Sequence, residues 1–551
     1  MALIDAVQVE SGSTIQADVC VIGGGPAGIS LALALSDSHL SVVLLESGGT
    51  DQDDESRDLN VGVNTGLPYY DLDETRHRAL GGASQRWAGW CRPLDRDDFG
   101  ERDELSTTGW PISYDELLPF YGEAAELCEI GPISEEFPTD HLPIVYQEPF
   151  VGGDVRVATW QGSPPTKFGS VYGSTLERDP TITVLTHATA TEILTNDEGT
   201  VATGVRVSTG SGGDFSVSSS TVVLCAGAIE TARLLLASRT VHSNGIGNEY
   251  DLVGRYFMEH PHLVTARLLV MPPWLTGRPT VPGIDSGFTG VKGRLAIQRP
   301  SGSSKAAYVI APERRAKEGS LNFSTHLRTV SKVNREDSTT YQAFKLIVNN
   351  LRSPSRLARQ IWSGALPEGT ARQMGYLMKG VPELAQVIWE EALKRPEELA
   401  LYTQSEQSPN PESRVTLDPR ETDASGLPRV QLRWQLSRID KTSVIASHDV
   451  LRDQFLESGL GILVPEPAFL DEGEDWGPNL RGGHHHLGTA RMATDPRHGV
   501  VDSNCRVHAV HGLYVGDSAV FPTSGFANPL LTTVAIARRL GAHLRSQLAQ
   551  G

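Results

Sequence analysis

The chain has 551 residues, of which 39% are hydrophobic and 21% charged, and its formal net charge is −19. This length exceeds what one hydrophobic core usually organises, and the composition is that of an ordinary globular protein, so we expect two or three domains. The acidic balance argues against nucleic acid and anionic membrane surfaces as partners, because both are bound largely through Lys and Arg.

Several features of the sequence favour a cytoplasmic protein without a membrane span. The first Lys or Arg is Arg57, so the basic region of a secretory signal is not seen. No uninterrupted apolar run reaches the roughly 20 residues that a membrane helix needs. The five cysteines show no CxxC spacing, which predicts neither a zinc site nor a disulfide framework and fits reduced thiols.

A nucleotide-binding pattern begins at residue 18. A short β-rich run, DVCVI, is followed at once by GGGPAG over residues 23–28 and then by a helical stretch. The first glycine of GxGxxG permits a tight turn, the second lets a pyrophosphate approach the backbone, and the third lets helix and strand pack closely. A second strand carries Glu46, placed to accept hydrogen bonds from an adenosine ribose. The pattern predicts a Rossmann-type site but leaves NAD and FAD open.

Further along the chain, residues 79–94 form a loop rich in Gly and aromatic residues, suited to lie against a flat ring. Ser113 and Glu116 predict a helix start with a capping box. A strand, a tight turn at Ala226 and Gly227, and a helix follow within TVVLCAGAIETARLLLAS, and the turn would again bring backbone close to a cofactor.

The pattern changes from about residue 260 to 475, where irregular strands are followed by a mostly helical block near 340–400. We therefore predict a cofactor domain over 1–258 with cap segments near 60–180, a second domain over 259–476, and a C-terminal segment over 477–551 that returns to the first domain. The helical block suits a lid, an oligomer contact or core packing equally.

The last seventy residues carry the densest chemical signal. Three adjacent histidines stand in HHHLGTARM, then LYVGD predicts a strand ending at Asp517, and NPLLTTVAIARRLGAHL predicts a helix with Asn528 as N-cap and Pro529 as its first residue. Neighbours in an extended segment point to alternate faces, and no Cys or carboxylate stands at ligand spacing, so no metal site is predicted. One of the histidines acting as a general base is the better interpretation, and the residues by themselves do not choose among the three.

At this point the chain resembles the glucose–methanol–choline (GMC) family of flavin oxidoreductases over essentially its whole length. The resemblance rests on GGGPAG with Glu46, the loop LGGASQRWAGWCRPL, the segment GNEYDLVGRYFMEHPH, the run SPNPESRV, and the C-terminal HHLGT and SGFANPLLT. It implies an α/β protein, α+β overall, with a Rossmann-type FAD-binding domain and a substrate domain built on a six-stranded antiparallel sheet plus helices. It also implies FAD rather than NAD.

Carried over by motif, the resemblance selects His486, directly before LeuGlyThr, as the catalytic base that removes a proton while hydride passes to the flavin. Asn528 is its implied partner. The loop and this pair are most similar to the pyranose- and glycoside-oxidising branch. In the fungal pyranose oxidases a His at this place in the loop attaches to the flavin; Arg86 stands there instead, so we expect non-covalent FAD. The expected cofactor-binding residues are Gly23, Gly25, Pro26, Ala27, Gly28, Glu46, Gly82, Ser84, Arg86, Trp87, Ala190, Ala226, Gly227, Asp517, Asn528 and Pro529.

The substrate is expected to be a sugar, a glycoside or an aminocyclitol-type sugar conjugate, contacted by Gln404, Glu406 and Gln407, for which a solvated loop is the alternative. Dioxygen or another electron acceptor would reoxidise the flavin, and a homo-oligomer fits the sequence as well as a monomer. Three alternatives stay open: a flavin-containing lyase on the same fold, an oxidase of a non-sugar alcohol, and a nicotinamide-dependent dehydrogenase.

Overall fold

The computed structural model describes residues 3–36, 38–102, 105, 109–133, 153–210, 212–270, 304–329 and 398–549. The predicted helical block near residues 340–400 falls almost entirely outside these ranges. In chain order the strands are β1 Leu3–Asp5, β2 Thr14–Gln16, β3 Val19–Ile22, β4 Val42–Leu45, β5 Gly62–Asn64, β6 Trp90–Cys91, β7 Val155–Gly162, β8 Ile182–Thr186, β9 Thr189–Thr195, β10 Ala202–Ser208, β11 Asp214–Ser218, β12 Thr221–Leu224, β13 His262–Val270, β14 Ser304–Ile310, β15 Phe323–Thr329, β16 Glu398–Ser405, β17 Arg414–Thr422, β18 Pro428–Arg433, β19 Gly461–Pro465 and β20 Leu513–Val515.

The α-helices of the described ranges are α1 Pro26–Leu35, α2 Asp54–Asp58, α3 Leu72–Thr75, α4 Tyr114–Leu127, α5 Phe168–Arg178, α6 Ala228–Ala237, α7 Pro312–Glu318, α8 Arg438–Glu457 and α9 Leu530–Leu548. The capping box predicted for α4 is confirmed, because Glu116 N–H binds Ser113 Oγ and Glu116 Oε2 accepts from Ser113 N–H. No helix in the described part of the chain is both long and apolar enough to cross a membrane.

A six-stranded parallel sheet forms the N-terminal core, in the order β1-β8-β4-β3-β12-β20. All residues of β3, β4 and β12 are buried, which is typical of parallel strands covered on both faces. Helix α9 packs against α1 and α4, and the C-terminal strand β20 pairs with β12. The predicted Rossmann-type sheet is confirmed, and the C-terminal strand β20 forms one of its edges.

The second large sheet is antiparallel, in the order β19-β13-β16-β15-β14-β7-β6. The described residues therefore form seven strands where the resemblance implied six, because the two-residue strand β6 extends the edge by pairing with β7. One face packs on α8 through a separate apolar cluster that includes Phe455 and Tyr308, whose rings meet edge to face at 5.2 Å. The predicted substrate-side architecture is thus an antiparallel sheet covered by a long helix.

The two halves of the chain interleave. Strands β6 and β7, from the range predicted for the cofactor domain, belong to the antiparallel sheet. Conversely, β17 and β18, from the range predicted for the second domain, join β5 in a three-stranded sheet. The predicted chain limits therefore do not coincide with the limits of the sheets.

Candidate active site

The glycine-rich turn between β3 and α1 forms an open cradle. Gly23 has φ +106°, and a Cβ there would stand 2.5 Å from the carbonyl oxygen of Cys225. A Cβ on Gly28 would overlap the carbonyl oxygen of Gly23, so both positions need glycine. A Cβ on Gly25, by contrast, would meet no described atom nearer than 3.9 Å. The space in front of Gly25, at the N-terminus of α1, fits the pyrophosphate of a dinucleotide.

Glu46, at the end of β4, lies beside this cradle and is 5% exposed. Its Oε2 accepts a hydrogen bond from Gly24 N–H at 2.9 Å, and its Oε1 accepts one from Gly48 N–H at 2.8 Å. Burial raises the pKa of Glu46, whereas these two N–H groups oppose the rise. Each carboxylate oxygen keeps a second lone pair, which suits the ribose hydroxyls of the expected nucleotide.

The loop after residue 79 lies directly on the cradle. Gly81 N–H binds Gly24 O at 2.7 Å, and Gly82, with φ +47°, packs against the Cα of Gly25. Ser84 Oγ donates to Gly81 O and accepts from Phe168 N–H, so this side chain holds the loop in place. The predicted loop therefore contacts the cradle through the backbone of Gly81 and Gly82.

Two further loop residues face different surroundings. Trp87 Nε1 donates to Thr166 O at 2.9 Å, which anchors its ring to the protein. Arg86 is exposed. Burial is the main cause of the lowered pKa values of His77 and His484, and the charge of Arg86 adds to both. The charge of Arg86 thus acts on a histidine next to the loop and on one in the C-terminal histidine segment.

Asp517 supports the second cofactor turn. Its Oδ2 accepts from Gly227 N–H at 2.8 Å and from Thr231 Oγ1 at 2.7 Å, while Oδ1 accepts from Ala519 N–H at 2.8 Å. The predicted turn at Ala226 and Gly227 is present, with Ala226 packed against Gly23. Because three protein donors occupy the Asp517 carboxylate, we assign it to holding this turn.

The other predicted cofactor residues fall on either side of the cradle. Pro26 and Ala27 form the first turn of α1. Ala190 is buried in β9, two residues after Ala188, whose N–H binds Glu46 O at 2.9 Å. Pro529 is the N-cap of α9 rather than its first residue, so the predicted helix start is displaced by one position.

The three adjacent histidines face three different partners. His484 has φ +59° and stacks on Tyr70 with ring centroids 4.3 Å apart. His486 Nε2 lies 3.0 Å from the hydroxyl of Tyr69. His485 Nε2 lies 3.1 Å from Asn528 Nδ2. The predicted pairing of Asn528 with His486 is therefore wrong, and the structure pairs Asn528 with His485.

The direction of each ring explains this correction. His486 points towards the cofactor-domain side, where Phe257 and Tyr69 pack around it with centroids 5.7 and 6.2 Å away. The side chain of Asn528, which was predicted to cap α9, instead turns its Nδ2 towards His485, and its Oδ1 has no hydrogen-bond partner among the described residues. Burial and the neighbouring imidazoles hold the pKa of His485 well below its ordinary value, so its ring is neutral at neutral pH.

A buried carboxylate, Glu259, organises the histidine segment. Its oxygens accept from the N–H groups of Gly483 at 2.9 Å, His485 at 3.1 Å and His260 at 3.0 Å, and from the Tyr69 hydroxyl. Sequence reasoning missed Glu259, His260 and Tyr69. The first two stand in the segment MEHPH, which was noted only as part of the family resemblance.

The three residues predicted to contact substrate are buried supports of the site. Both oxygens of Glu406 are held by Arg102, and Oε2 also accepts from Asn322 N–H at 2.9 Å. Gln407 binds Glu259 N–H and Trp434 Nε1 through its Oε1. For Glu406 and Gln407 the predicted substrate contact, like the solvated-loop alternative, is replaced by an anchoring role.

Gln404 serves the same loop as Gln407. Its Nε2 donates to Phe526 O at 2.6 Å, and Gln407 N–H donates to Ser524 Oγ at 3.1 Å. Together the two glutamines fasten the segment that leads to Asn528. Across the described ranges, no three His, Cys, Asp or Glu side chains are arranged to hold a metal ion.

Comparisons with known proteins agree with this geometry. A family model described as GMC oxidoreductase matches residues 409–537, and one described as FAD dependent oxidoreductase matches residues 18–245. The first range contains the three histidines and Asn528, and the second contains the cradle and Glu46.

Similar proteins extend over the whole chain. The 2-methyl-1,2-propanediol dehydrogenase of Mycolicibacterium austroafricanum is 25% identical, with 97% of this chain and 96% of the relative covered. The fructose dehydrogenase large subunit of Gluconobacter japonicus is 23% identical, with 98% of this chain and 100% of the relative covered. The solved structure of formate oxidase from Aspergillus oryzae has a TM-score of 0.57 at 17% identity, covering 98% of this chain and 100% of that chain, and shows the shared fold. With the cradle, the interleaved sheets and the C-terminal histidine site in place, the two family models and the full-length relatives all indicate the GMC family of FAD-dependent oxidoreductases.

Proposed function

We propose that this enzyme oxidises a CH–OH group of a small alcohol or sugar, with His485 as the base and Asn528 as the group that positions the substrate oxygen. The observation that carries the proposal is the His485–Asn528 pair, 3.1 Å apart, just before the N-terminus of α9. A neutral imidazole beside an amide donor is suited to remove a proton from a hydroxyl and to hold the resulting oxygen.

The cradle residues and the loop on them would hold FAD: Gly23, Gly25 and Gly28 at the pyrophosphate, Glu46 at the ribose, and the backbone of Gly82 and Gly227 along the cofactor. When bound, FAD supplies the acceptor for the hydride that leaves the alcohol carbon. Arg86 cannot form the covalent link that a histidine forms at this place in some relatives. We therefore propose non-covalent binding, tested by whether acid precipitation releases all of the flavin.

The proton follows a defined route in this proposal. The substrate hydroxyl gives its proton to His485 Nε2, and Asn528 Nδ2–H turns from that nitrogen to the substrate oxygen. Asn528 Oδ1 is buried and lacks a hydrogen-bond partner among the described residues, which leaves an acceptor for a second substrate hydroxyl. The N-terminus of α9 favours negative charge that develops nearby.

The substrate class is supported by two relatives of full length, one named for a diol and the other for a sugar. The hydroxyl groups of a polyhydroxy compound could also form hydrogen bonds with Asn528 Oδ1 and with His262 Nε2. Both atoms are buried and lack a hydrogen-bond partner in the described ranges. A sugar or a small polyol is therefore our first choice.

Anaerobic mixing of the purified holoenzyme with sugars, glycosides, diols and simple alcohols tests this function. At least one compound should bleach the oxidised flavin absorbance, and its deoxy analogue at the reacting carbon should not. Admitting dioxygen afterwards shows whether oxygen restores the colour. If every member of the panel leaves the flavin oxidised while a lyase product appears, the proposed reaction is wrong.

A further inference from the structure

A second histidine, His260, lies fully buried behind His485. Its Nδ1 is 2.7 Å from His485 Nδ1, and its Nε2 is 2.9 Å from Gly525 O and 3.2 Å from Ser524 O. The site thus contains an unbroken row of hydrogen bonds that starts at two backbone carbonyls, passes through both imidazoles and ends at Asn528.

The chemistry of the carbonyls fixes the protons along this row. A carbonyl oxygen only accepts, so the proton of a neutral His260 stands on Nε2, and its Nδ1 carries a lone pair. That lone pair must accept from His485, which places the proton of His485 on Nδ1. His485 Nε2 is then left with the lone pair, and Asn528 Nδ2–H points at it.

His260 is neutral in this setting. Burial lowers its pKa to about 4, and the two carbonyls and the charge of Glu406 oppose the change. Glu406 itself is paired with Arg102. The other titratable groups that face His485 are His262 at the start of β13, His484 and His486 in its own segment, and Glu259 at its backbone N–H.

We propose that His260 is a positioning residue which locks His485 in the tautomer whose Nε2 is free to take the substrate proton. The inference rests on the proposed function and deepens it. Because the two carbonyls cannot receive a proton, none can pass beyond His260, and burial disfavours a second proton on the His260 ring. The proton taken up by His485 therefore leaves again through Nε2.

The segment from Ser524 to Asn528 contacts both His260 and His485. Ser524 and Gly525 hold His260, and Asn528, three residues on, meets His485 from the other side. The same segment is fastened by Gln404 and Gln407. The tautomer of His485 and its distance from Asn528 are therefore determined together.

Two substitutions at His260 separate a tautomer role from simple packing. In His260→Leu, His485 loses the acceptor for its Nδ1–H, and flavin reduction should slow about 10–100-fold, less than the loss of the base itself, which typically contributes about 10²–10⁴-fold. In His260→Asn, the side-chain oxygen can accept from His485 Nδ1–H, and the rate should return to within about tenfold of the wild type.

The pH profile supplies a result that packing would not produce. A neutral acceptor at Nδ1 stabilises the protonated ring of His485, so its removal in His260→Leu lowers the pKa of His485 and moves the acid limb of flavin reduction to lower pH. His260→Asn should restore the position of the limb. A limb that stays in place, or moves to higher pH, overturns the proposal.

Nitrogen-15 spectra of histidine-labelled wild-type holoenzyme give an independent measurement, since they distinguish protonated from bare ring nitrogens. The signals of His485, identified by their loss in His485→Gln, should show a bare Nε2. A protonated Nε2 overturns the inference even if the variants are inactive.

The matched control is His448→Leu, which removes a buried imidazole with no hydrogen-bond partner among the described residues. It should leave the rate and the acid limb unchanged. If His485→Gln reduces its flavin at the wild-type rate, the proposed function fails and this inference with it. If His485→Gln is slow but neither His260 variant moves the limb, only this inference fails.

Discussion

The nucleotide cradle and the histidine site differ in how they are built. The glycine-rich turn of the cradle lies within one strand–turn–helix–strand unit, from β3 to Glu46: Gly23 is required by its own φ of +106°, and Gly28 by the carbonyl oxygen of Gly23. The histidine site gathers side chains from three separate regions of the chain, around residues 260, 485 and 526. A site formed by residues close together in the sequence can be predicted from their order. A site gathered from distant regions, as the histidine site is, depends on which residues the fold places next to each ring.

The first test breaks the cradle. Gly28→Val should abolish FAD binding or folding, because its side chain would overlap the carbonyl oxygen of Gly23. The ratio of flavin to protein absorbance after purification measures the loss. Gly122→Ala is the control: this exposed glycine in α4 has open space around it, and alanine there should keep the flavin and stabilise the helix by up to about 1 kcal/mol. A yellow, stable Gly28→Val protein would contradict the cradle.

The second test asks which histidine the gathered site uses. His485→Gln should lower the rate of anaerobic flavin reduction about 10²–10⁴-fold, the usual contribution of a general base, while the protein stays yellow. His486→Gln should cost far less, since its ring nitrogen faces Tyr69 rather than Asn528. The reverse order of effects would restore the motif-based choice of His486.

The third test changes the charge beside the base. In Asn528→Asp a carboxylate replaces the amide 3.1 Å from His485 Nε2 and favours the protonated ring. The pKa of His485, which burial holds low, should rise by about one to three units, so the acid limb of flavin reduction moves to higher pH. Stopped-flow rates across the pH range measure it, with wild-type enzyme as reference. An unmoved limb would mean that His485 is not the titrating group.

The smallest expected effect concerns the anchors around the gathered site. Gln407→Leu leaves the buried N–H of Glu259 and the Nε1 of Trp434 without acceptors and should destabilise the enzyme by about 2–4 kcal/mol. Thermal unfolding of the holoenzyme detects it as a lower Tm. The exposed Gln547→Leu in α9 should change stability by no more than about 0.5 kcal/mol. Equal Tm values for the two variants would show that Gln407 is no anchor.

The sequence predicted the fold and the cradle well for a physical reason. Buried apolar runs, glycines and a capping box act over a few residues, and β3, α1, β4 and the α4 cap lie where these signals place them. The predicted pairing of Asn528 with His486 failed because ring direction is set by the positive φ of His484 and by Glu259, more than two hundred residues away. The order of residues along the chain does not predict this contact between Glu259 and the histidine segment.

The polar run at residues 404–407 shows the same limit. Glutamine and glutamate side chains before a Ser-Pro turn are typical of an exposed loop, and only Arg102, Trp434 and the segment around Ser524 convert them into buried anchors. These partners lie far apart along the chain.

The contact between α1 and α9 has a consequence for the history of such enzymes. A Cβ on Gly541 would overlap Ala34, so α9, which follows Asn528, and α1, which begins at the nucleotide cradle, pack closely at this glycine. Asn528, the proposed positioning residue, and the nucleotide cradle thus stand at the starts of two helices that pack on each other, while the antiparallel sheet lies outside this pair. Substitutions on the sheet can then change which substrate binds without moving Asn528 relative to the cradle. Substrate specificity can thus change during evolution while the reaction mechanism is kept.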